Sequence, residues 1–179
     1  MQRKIAMKVI SYSVLLNDNE LPELVPDKPR LWGGDAEQFQ APGDVVLMLN
    51  QVFELYRQAE EHLYMVALNH RLHPIGVFEV FHGTNCNCCA NPREIFLRAA
   101  LIGAARIVIA HNHPGGSIVP SHDDDVITAK VSEAGMILGI ELVDHIIVSR
   151  QGFFSYKENA RLDEIEEKLK NERRNYEKI

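Results

Sequence analysis

An α/β or α+β domain is the fold class that this sequence predicts, on three observations. Strand-like and helix-like segments alternate between residues 42 and 156. The chain has 179 residues, enough for one domain with a core of its own and hardly enough for two. Its hydrophobic content of 46% is that of an ordinary folded protein and argues against disorder throughout.

The first region, residues 1–41, is predicted to be a strand followed by an extended segment. Apolar residues alternate from Ile5 to Val9 and continue through Tyr12–Leu16, which is typical of a strand. The prolines and the Gly-Gly pair of LPELVPDKPRLWGGD then exclude a continuous helix or a central strand. We therefore expect an extended N-terminal arm that packs on the domain or on a partner.

The central region, residues 42–156, carries the helix and strand signals of the domain. Apolar residues at helical spacing predict helices in PGDVVLMLNQVFELYRQAEEH (42–62), NPREIFLRAALIGA (91–104) and SHDDDVITAKVSEAGMILG (121–139). Apolar and β-branched runs predict strands at 63–70, 74–81, 106–110 and 140–149. The first two strands flank the short polar turn NHRLH and should form a hairpin, and FFSYKE closes the domain.

The last region, residues 157–179, is predicted to be a charged helix. Its apolar stripe is thin and consists of Leu162, Ile165 and Leu169. A stripe this narrow is typical of a solvated surface helix, or of one that pairs with a coiled-coil partner.

Charge and hydropathy argue against two classes of partner, nucleic acids and membranes. The net charge of −6 and the pI near 5.7 argue against a nucleic-acid binder that works by neutralising many phosphates. No apolar run approaches the roughly 18 residues that span a bilayer. The basic start of the chain resembles a secretory signal, but Lys8 and Ser11 interrupt its apolar part and no cleavage site follows. We therefore expect a cytoplasmic protein.

Three cysteines, Cys86, Cys88 and Cys89, lie together in NCNCCANP. An odd number at such close spacing is a poor disulfide framework and fits a reducing compartment. Thiolates bind zinc, but this cluster lacks the usual C-x2-C spacing and a second pair elsewhere. We interpret the three as reduced loop cysteines.

The segment HNHPGGSIVPSHDDD (111–125) joins the strand 106–110 to the helix 121–139 and concentrates the candidate ligands. In an extended chain alternate side chains point to one side, so His111 and His113 can face the same point. Asp124 follows in the first turn of the next helix. Two imidazoles and one carboxylate form a recurring catalytic zinc set that leaves the fourth position for water.

Each of these residues also has a structural interpretation. Ser121-x-x-Asp124 has the pattern of a helix capping box. His122, Asp123 and Asp125 are interpreted as helix-start residues, because acids are favourable at a helix N-terminus whatever their function. The conjunction of two histidines and an acid on one strand, loop and helix favours a site. Pro114-Gly115-Gly116 would turn the chain so that the ligands converge.

The pattern H-x-H-P…S-x-x-D resembles the signature of JAMM/MPN-type metalloproteases, and the chain is more narrowly similar to the RadC family of bacteria. The motifs that carry the resemblance are HGTN (82–85), NPREIF (91–96), AHNHPGG (110–116), PSHDD (120–124) and LVDHIIV (142–148). It covers residues 42–156. It implies an MPN/JAMM-like (cytidine-deaminase-like) mixed sheet flanked by helices, with zinc at the edge of the sheet.

The resemblance also implies a zinc-dependent peptidase or isopeptidase. Zinc would be held by His111, His113 and Asp124, with a peptide or protein as the substrate. The signature needs an upstream glutamate as general base, and Glu79, a lone acid among apolar strand residues, is the predicted one. The Ser121 hydroxyl would stabilise the oxyanion.

Two other motifs of the family supply residues that we interpret as supporting. Glu94 of NPREIF is the rival base, although its neighbour Arg93 favours a structural ion pair. Asp144 and His145 of the last strand are expected behind the ligands or in a structural role, because three ligands and a water already fill the metal.

The chain departs from the family pattern in two places. Gly115 stands where the family usually has serine, at a position that is not a ligand. About 41 residues stand in place of the helix-hairpin-helix region that often precedes the domain. This difference weakens a DNA-repair role.

Other functions remain open beside the peptidase. They are a non-catalytic MPN-fold interaction module and a RadC-type accessory protein of DNA repair or mobile elements. An HNH nuclease is not supported, because that name describes residues spread over a much longer unit. A homo-oligomer or a helix-mediated partner also stays open.

Overall fold

A computed structural model describes residues 7–33, 38–83 and 91–176 of the chain, the last three of them as backbone. The helices of this part are α1 (Pro42–Phe53), α2 (Pro92–Leu101), α3 (His122–Leu138) and α4 (Arg161–Tyr176). The strands are β1 (Met7–Val9), β2 (Tyr12–Leu16), β3 (Pro22–Pro26), β4 (Arg30–Trp32), β5 (Glu61–Leu68), β6 (Pro74–Gly83), β7 (Arg106–Asn112), β8 (Glu141–Ser149) and β9 (Gly152–Ser155).

A five-stranded mixed sheet forms the centre of the fold, in the order β6-β5-β7-β8-β9. Strands β7 and β8 are parallel and are joined by α3, whereas the other neighbours are antiparallel. The predicted fold class, a mixed sheet flanked by helices, is confirmed. The predicted hairpin 63–81 corresponds to β5 and β6.

Alternation along β7 assigns the two faces of the sheet to different helices. Ile107 and Ile109 pack in a core with α2, α3 and α4. Val108 and Ala110 face the opposite way, into a second core with α1 and the N-terminal strands. Side chains of a strand alternate between the two faces. His111 therefore continues the row of Ile107 and Ile109 and lies on the face that α3 covers.

Helix α1 is shorter than the apolar spacing predicts. It ends at Phe53, because Glu54 adopts a left-handed conformation with φ of 52°. A single 3-10 turn, Leu55–Arg57, follows. The Asn50 side chain accepts a hydrogen bond from the Tyr56 backbone N–H at 3.1 Å, which satisfies a donor beyond the break. Leu55 is fully buried after the break. The apolar pattern therefore continues past the end of the helix, although the backbone has changed direction.

The N-terminal region packs on the domain through short strand pairs rather than as a single extended arm. Strand β1 pairs with β4, and β2 pairs with β3. Trp32 is almost fully buried in the core on the α1 face. Pro22 and Pro26 mark the two ends of β3, in a two-stranded sheet where a missing N–H donor is tolerated.

Helix α4 is attached to the domain, and the expectation that its apolar stripe faces solvent or a partner is wrong, since Leu169 is also partly buried against the core. Leu162 and Ile165 are buried in the core with α3. The Arg161 guanidinium donates to both carboxylate oxygens of Asp125 at 2.7 and 2.5 Å. A narrow stripe is sufficient here because only one side of the helix meets the domain.

Asp144 fastens the chain between β9 and α4. Its carboxylate accepts hydrogen bonds from the Ser155 hydroxyl at 2.5 Å and from the Lys157 backbone N–H at 2.9 Å. Burial raises the pKa of Asp144 to about 6 against the opposing effect of these bonds. The residue therefore has the structural role expected of it.

The structure bears only partly on two further predictions, the absence of a membrane span and the state of the three cysteines. Among the described residues, no helix has the length and apolar character needed to cross a membrane. Cys86, Cys88 and Cys89 lie outside the described residues, so their interpretation stays a prediction.

Candidate metal centre

His111, His113 and Asp124 meet where β7 ends and α3 begins. His111 lies in β7 and Asp124 in the first turn of α3, and His113 follows β7 directly. The His113 backbone N–H still donates to the Val148 carbonyl at 2.9 Å, which holds the loop against β8. The next residues turn the chain, with Gly116 at a φ of 87° and its N–H bonded to the His113 carbonyl. The site is at the end of the central strand and not at the sheet edge.

The ligand atoms of these three residues converge on one point. The Nε2 atoms of His111 and His113 are 3.0 Å apart. Asp124 lies 3.1 Å from the first nitrogen through Oδ1 and 3.5 Å from the second through Oδ2. Ligands of a tetrahedral zinc with bonds of about 2.0–2.1 Å lie roughly 3.3–3.4 Å from one another. The spacing therefore matches a zinc-sized cation.

A buried chain of hydrogen bonds fixes which nitrogen of His111 carries its proton. The Thr128 hydroxyl donates to the Asp124 backbone carbonyl at 2.5 Å, since a carbonyl can only accept. The hydroxyl must then accept from Nδ1 of His145, 2.6 Å away. Complete burial lowers the pKa of His145 well below its ordinary value, so this ring is neutral. Its Nε2 accepts from Nδ1 of His111 at 2.8 Å.

His111 therefore presents the lone pair of Nε2 to the cluster, and His113 does the same. The Nδ1 of His113 lies 3.0 Å from the Ser117 carbonyl and donates to it. Two nitrogen lone pairs that face each other at 3.0 Å need a proton or a cation between them. Ligating histidines almost always donate their other N–H to a fixed acceptor, as both of these do. The donor set fits zinc.

Asp124 combines the roles of candidate ligand and helix cap. The Ser121 backbone N–H and hydroxyl both donate to its Oδ2, at 2.7 and 2.6 Å, and the Asp124 N–H donates back to the hydroxyl at 3.1 Å. Burial alone would raise the pKa of Asp124, but its contacts with the two imidazoles and with the Ser121 hydroxyl outweigh burial and hold the pKa below its ordinary range. The capping box predicted from Ser121-x-x-Asp124 is present.

Glu61 is the carboxylate that the structure adds to this cluster. Its Oε1 lies 3.9 Å from Nε2 of His111, and a quarter of its side chain is exposed. Strand pairing explains the approach, because Leu63 of β5 lies opposite His111 of β7, and Glu61 shares the face of Leu63. The sequence signal for Glu61 was the alternation of side chains along a strand, because a residue two positions before the buried Leu63 points to the same face.

The structure does not bring Glu79 to this cluster, which corrects the prediction that it faces the same water. Glu79 pairs with Tyr64 across β5 and β6, and Tyr64 and Val77 belong to the core on the α1 face. Its carboxylate accepts from Nδ1 of His62 at 2.7 Å. Glu79 and His111 are therefore on opposite faces of the sheet.

The remaining candidate residues have structural partners. Glu94 bonds to Arg93 at 3.0 Å and to Arg98 at 3.2 Å, the structural pairing that its neighbour suggested. Asp125 binds Arg161 of α4. His145 lies directly behind His111, as expected for a supporting residue. His122 and Asp123 are exposed at the start of α3.

Because Thr128 ends the hydrogen-bond chain behind His111, we expect its replacement to change the zinc affinity. In Thr128→Val the isosteric side chain lacks the hydroxyl, so His145 loses the acceptor that sets its tautomer. We expect zinc affinity to fall by about 10- to 100-fold, as for other partners of a ligand. Competition with a chelating dye measures the change. Thr128→Ser keeps the hydroxyl and should retain most of the affinity, and equal losses in the two variants would refute the chain.

Comparison with known proteins matches most of the chain to one family. Residues 39–162 match the family model described as RadC-like JAB domain. A UPF0758 protein of Clostridium botulinum is 40% identical over 123 residues, covering 69% of this chain and 53% of that protein. One of Rubrobacter xylanophilus is 41% identical, covering 68% and 52%. One of Thermotoga maritima is 36% identical, covering 64% and 54%. The chain spans about half the length of these relatives.

Proposed function

Because the chain belongs to the RadC-like JAB domain family, we propose that it is a zinc-dependent hydrolase that cleaves a peptide or isopeptide bond. The observation that carries the proposal is the convergence of two imidazole lone pairs and the Asp124 carboxylate, with Glu61 beside them. Two histidines and one carboxylate leave a coordination position for water in catalytic zinc sites. Zinc bound there would lower the pKa of a water toward about 7.

Glu61 takes the role of general base in this proposal. Its Oε1, 3.9 Å from Nε2 of His111, is placed to accept a proton from a water at the point where the ligands converge. The oxygen of that water adds to the substrate carbonyl carbon. Glu61 then returns the proton to the amine as the C–N bond breaks, so that one water is consumed for each bond cleaved.

Ser121 has two roles in the proposal. Its hydroxyl donates to Oδ2 of Asp124 at 2.6 Å, which orients the carboxylate toward the two imidazoles. The residue is exposed at the N-terminus of α3, where a substrate carbonyl can approach. Turned toward that carbonyl, the same hydroxyl would donate to the developing oxyanion, a bond worth about 3 kcal/mol in comparable sites.

A substrate-profiling digest tests the proposed activity. The protein is incubated with a library of peptides and of isopeptide-linked peptides, before and after treatment with a chelator, and the products are identified by mass spectrometry. We expect cleavage that the chelator abolishes. Zinc bound without cleavage of any library member would instead support a non-catalytic interaction module, and cleavage that survives full removal of metal would contradict the mechanism.

A further inference from the structure

A second group of possible ligands lies on the opposite face of the sheet. His62 of β5 and Glu79 and His82 of β6 offer ligand atoms within 4.8 Å of one another. The Nδ1 atoms of His62 and His82 approach the same oxygen, Oε1 of Glu79, at 2.7 and 3.2 Å. The two rings stack with centroids 5.5 Å apart and an angle of 22° between their planes.

An irregularity in the sheet creates this group. Glu79 and His82 are three residues apart, so in a regular strand they would point to opposite faces. The register between β5 and β6 shifts between Leu63 and Tyr64, because Phe81 pairs with Leu63 but Glu79 pairs with Tyr64. The extra residue in β6 brings Glu79 to the side of His82. Bulges that redirect a side chain are over-represented next to functional sites.

Hydrogen bonds alone explain this arrangement poorly. Glu79 and His82 are both exposed to solvent, with 40% and 64% of their side chains accessible. Exposed ion pairs contribute little to stability, because ordering the side chains and solvent screening offset the attraction. Two nearly parallel rings that aim the same type of nitrogen at one carboxylate oxygen form a better template for a metal ion. Imidazole and carboxylate ligands together suit zinc.

The surroundings of the group let an ion enter. The three side chains line an open cleft of about 640 Å³ between the sheet and the N-terminal strands. A carboxylate that faces an open cleft attracts cations and leaves room for water ligands.

We propose that His62, Glu79 and His82 form a second zinc site, with water completing the coordination. The ion would cross-link β5 to β6, the edge strand of the sheet. The site is separated from the His111 cluster by the sheet itself. The second site is therefore independent of the proposed hydrolase activity, and a measurement of metal content is sufficient to test it.

Zinc stoichiometry after equilibrium dialysis tests the second site. In the His113→Ala background, where the first site has lost a ligand, we expect one bound zinc per chain. Adding Glu79→Gln or His82→Ala should remove that ion or weaken its binding at least tenfold. Both residues are exposed, so the fold should survive, and thermal melting checks it. The matched control is His70→Ala, an exposed histidine in the turn at the other end of the β5–β6 hairpin, which should keep the ion.

The cysteines are the competing source of ligands, since Cys86 follows His82 by only four residues. The same dialysis in a variant with Cys86, Cys88 and Cys89 replaced by serine should give an unchanged stoichiometry. With cobalt as the probe, the spectrum should lack thiolate charge-transfer bands. Loss of the ion on serine replacement, equal binding in His82→Ala and His70→Ala, or no second ion at all would each overturn the proposal.

Discussion

Replacing Glu61 by glutamine should abolish hydrolysis and leave the metal in place. Glutamine keeps the shape of the side chain but cannot accept a proton, so general base catalysis is lost. Such a loss lowers the rate by about 10²- to 10⁴-fold. Glu61 is not one of the three predicted ligands, and zinc affinity should change little. The rate is measured on a peptide from the substrate profile, and zinc content by elemental analysis.

Glu60 offers a matched control for this substitution. It precedes Glu61 in the chain and is exposed, so Glu60→Gln should keep both zinc and activity. Full activity in Glu61→Gln, together with loss of activity in Glu79→Gln, would restore the base to the position that the sequence suggested. It would also show that the opposite face of the sheet carries the chemistry.

The second large effect is expected from His113→Ala. His113 supplies one of the two imidazoles, and four-fifths of its side chain is buried. We expect the variant to lose one zinc per chain, with binding at this site weakened by more than about 100-fold, beyond the effect of losing a supporting hydrogen bond. Hydrolysis should fall to background. Zinc content and cleavage are measured on the same preparation.

The control for His113→Ala is His122→Ala. His122 is exposed in the first turn of α3 and belongs to the same loop-helix segment, but none of the ligand contacts involves it. This variant should keep the zinc and the activity. Equal zinc content in the two variants would exclude His113 as a ligand.

Local patterns were sufficient to predict that His111, His113 and Asp124 lie together as candidate ligands, because their approach depends on local geometry. His111 and His113 share a face through the period of two of a strand, and Asp124 is fixed by the capping box of α3. Each relation spans only a few residues. The sequence therefore predicted the strand, the turn and the helix that bring the three side chains together.

The carboxylate that lies beside these three residues could not be predicted in the same way, because its position depends on contacts between distant strands. Glu61 reaches His111 through the pairing of β5 with β7, which lie about fifty residues apart in the chain. Glu79 was preferred as a lone acid in an apolar strand. However, the face on which it lies is determined by strand register and by the bulge in β6, and a one-residue shift reverses the face.

The end of α1 and the buried side of α4 could not be predicted from the sequence for the same reason. The apolar spacing of α1 continues past Phe53, although the backbone turns at Glu54, because the next residues remain buried after the turn. The stripe of α4 was too narrow to predict burial, yet Leu162 packs in the core and Arg161 binds Asp125. Both outcomes depend on tertiary contacts that periodicity does not contain.

Zinc titration of the metal-free protein shows whether cleavage depends on an ion held by His111, His113 and Asp124. Bound zinc and peptide cleavage are recorded at each addition, for the wild-type chain and for His113→Ala. We expect no cleavage without metal, recovery in proportion to the occupancy of the site formed by His111, His113 and Asp124, and no recovery in the variant. Cleavage by the metal-free protein, or equal recovery in His113→Ala, would contradict a zinc-dependent hydrolase with this ligand set.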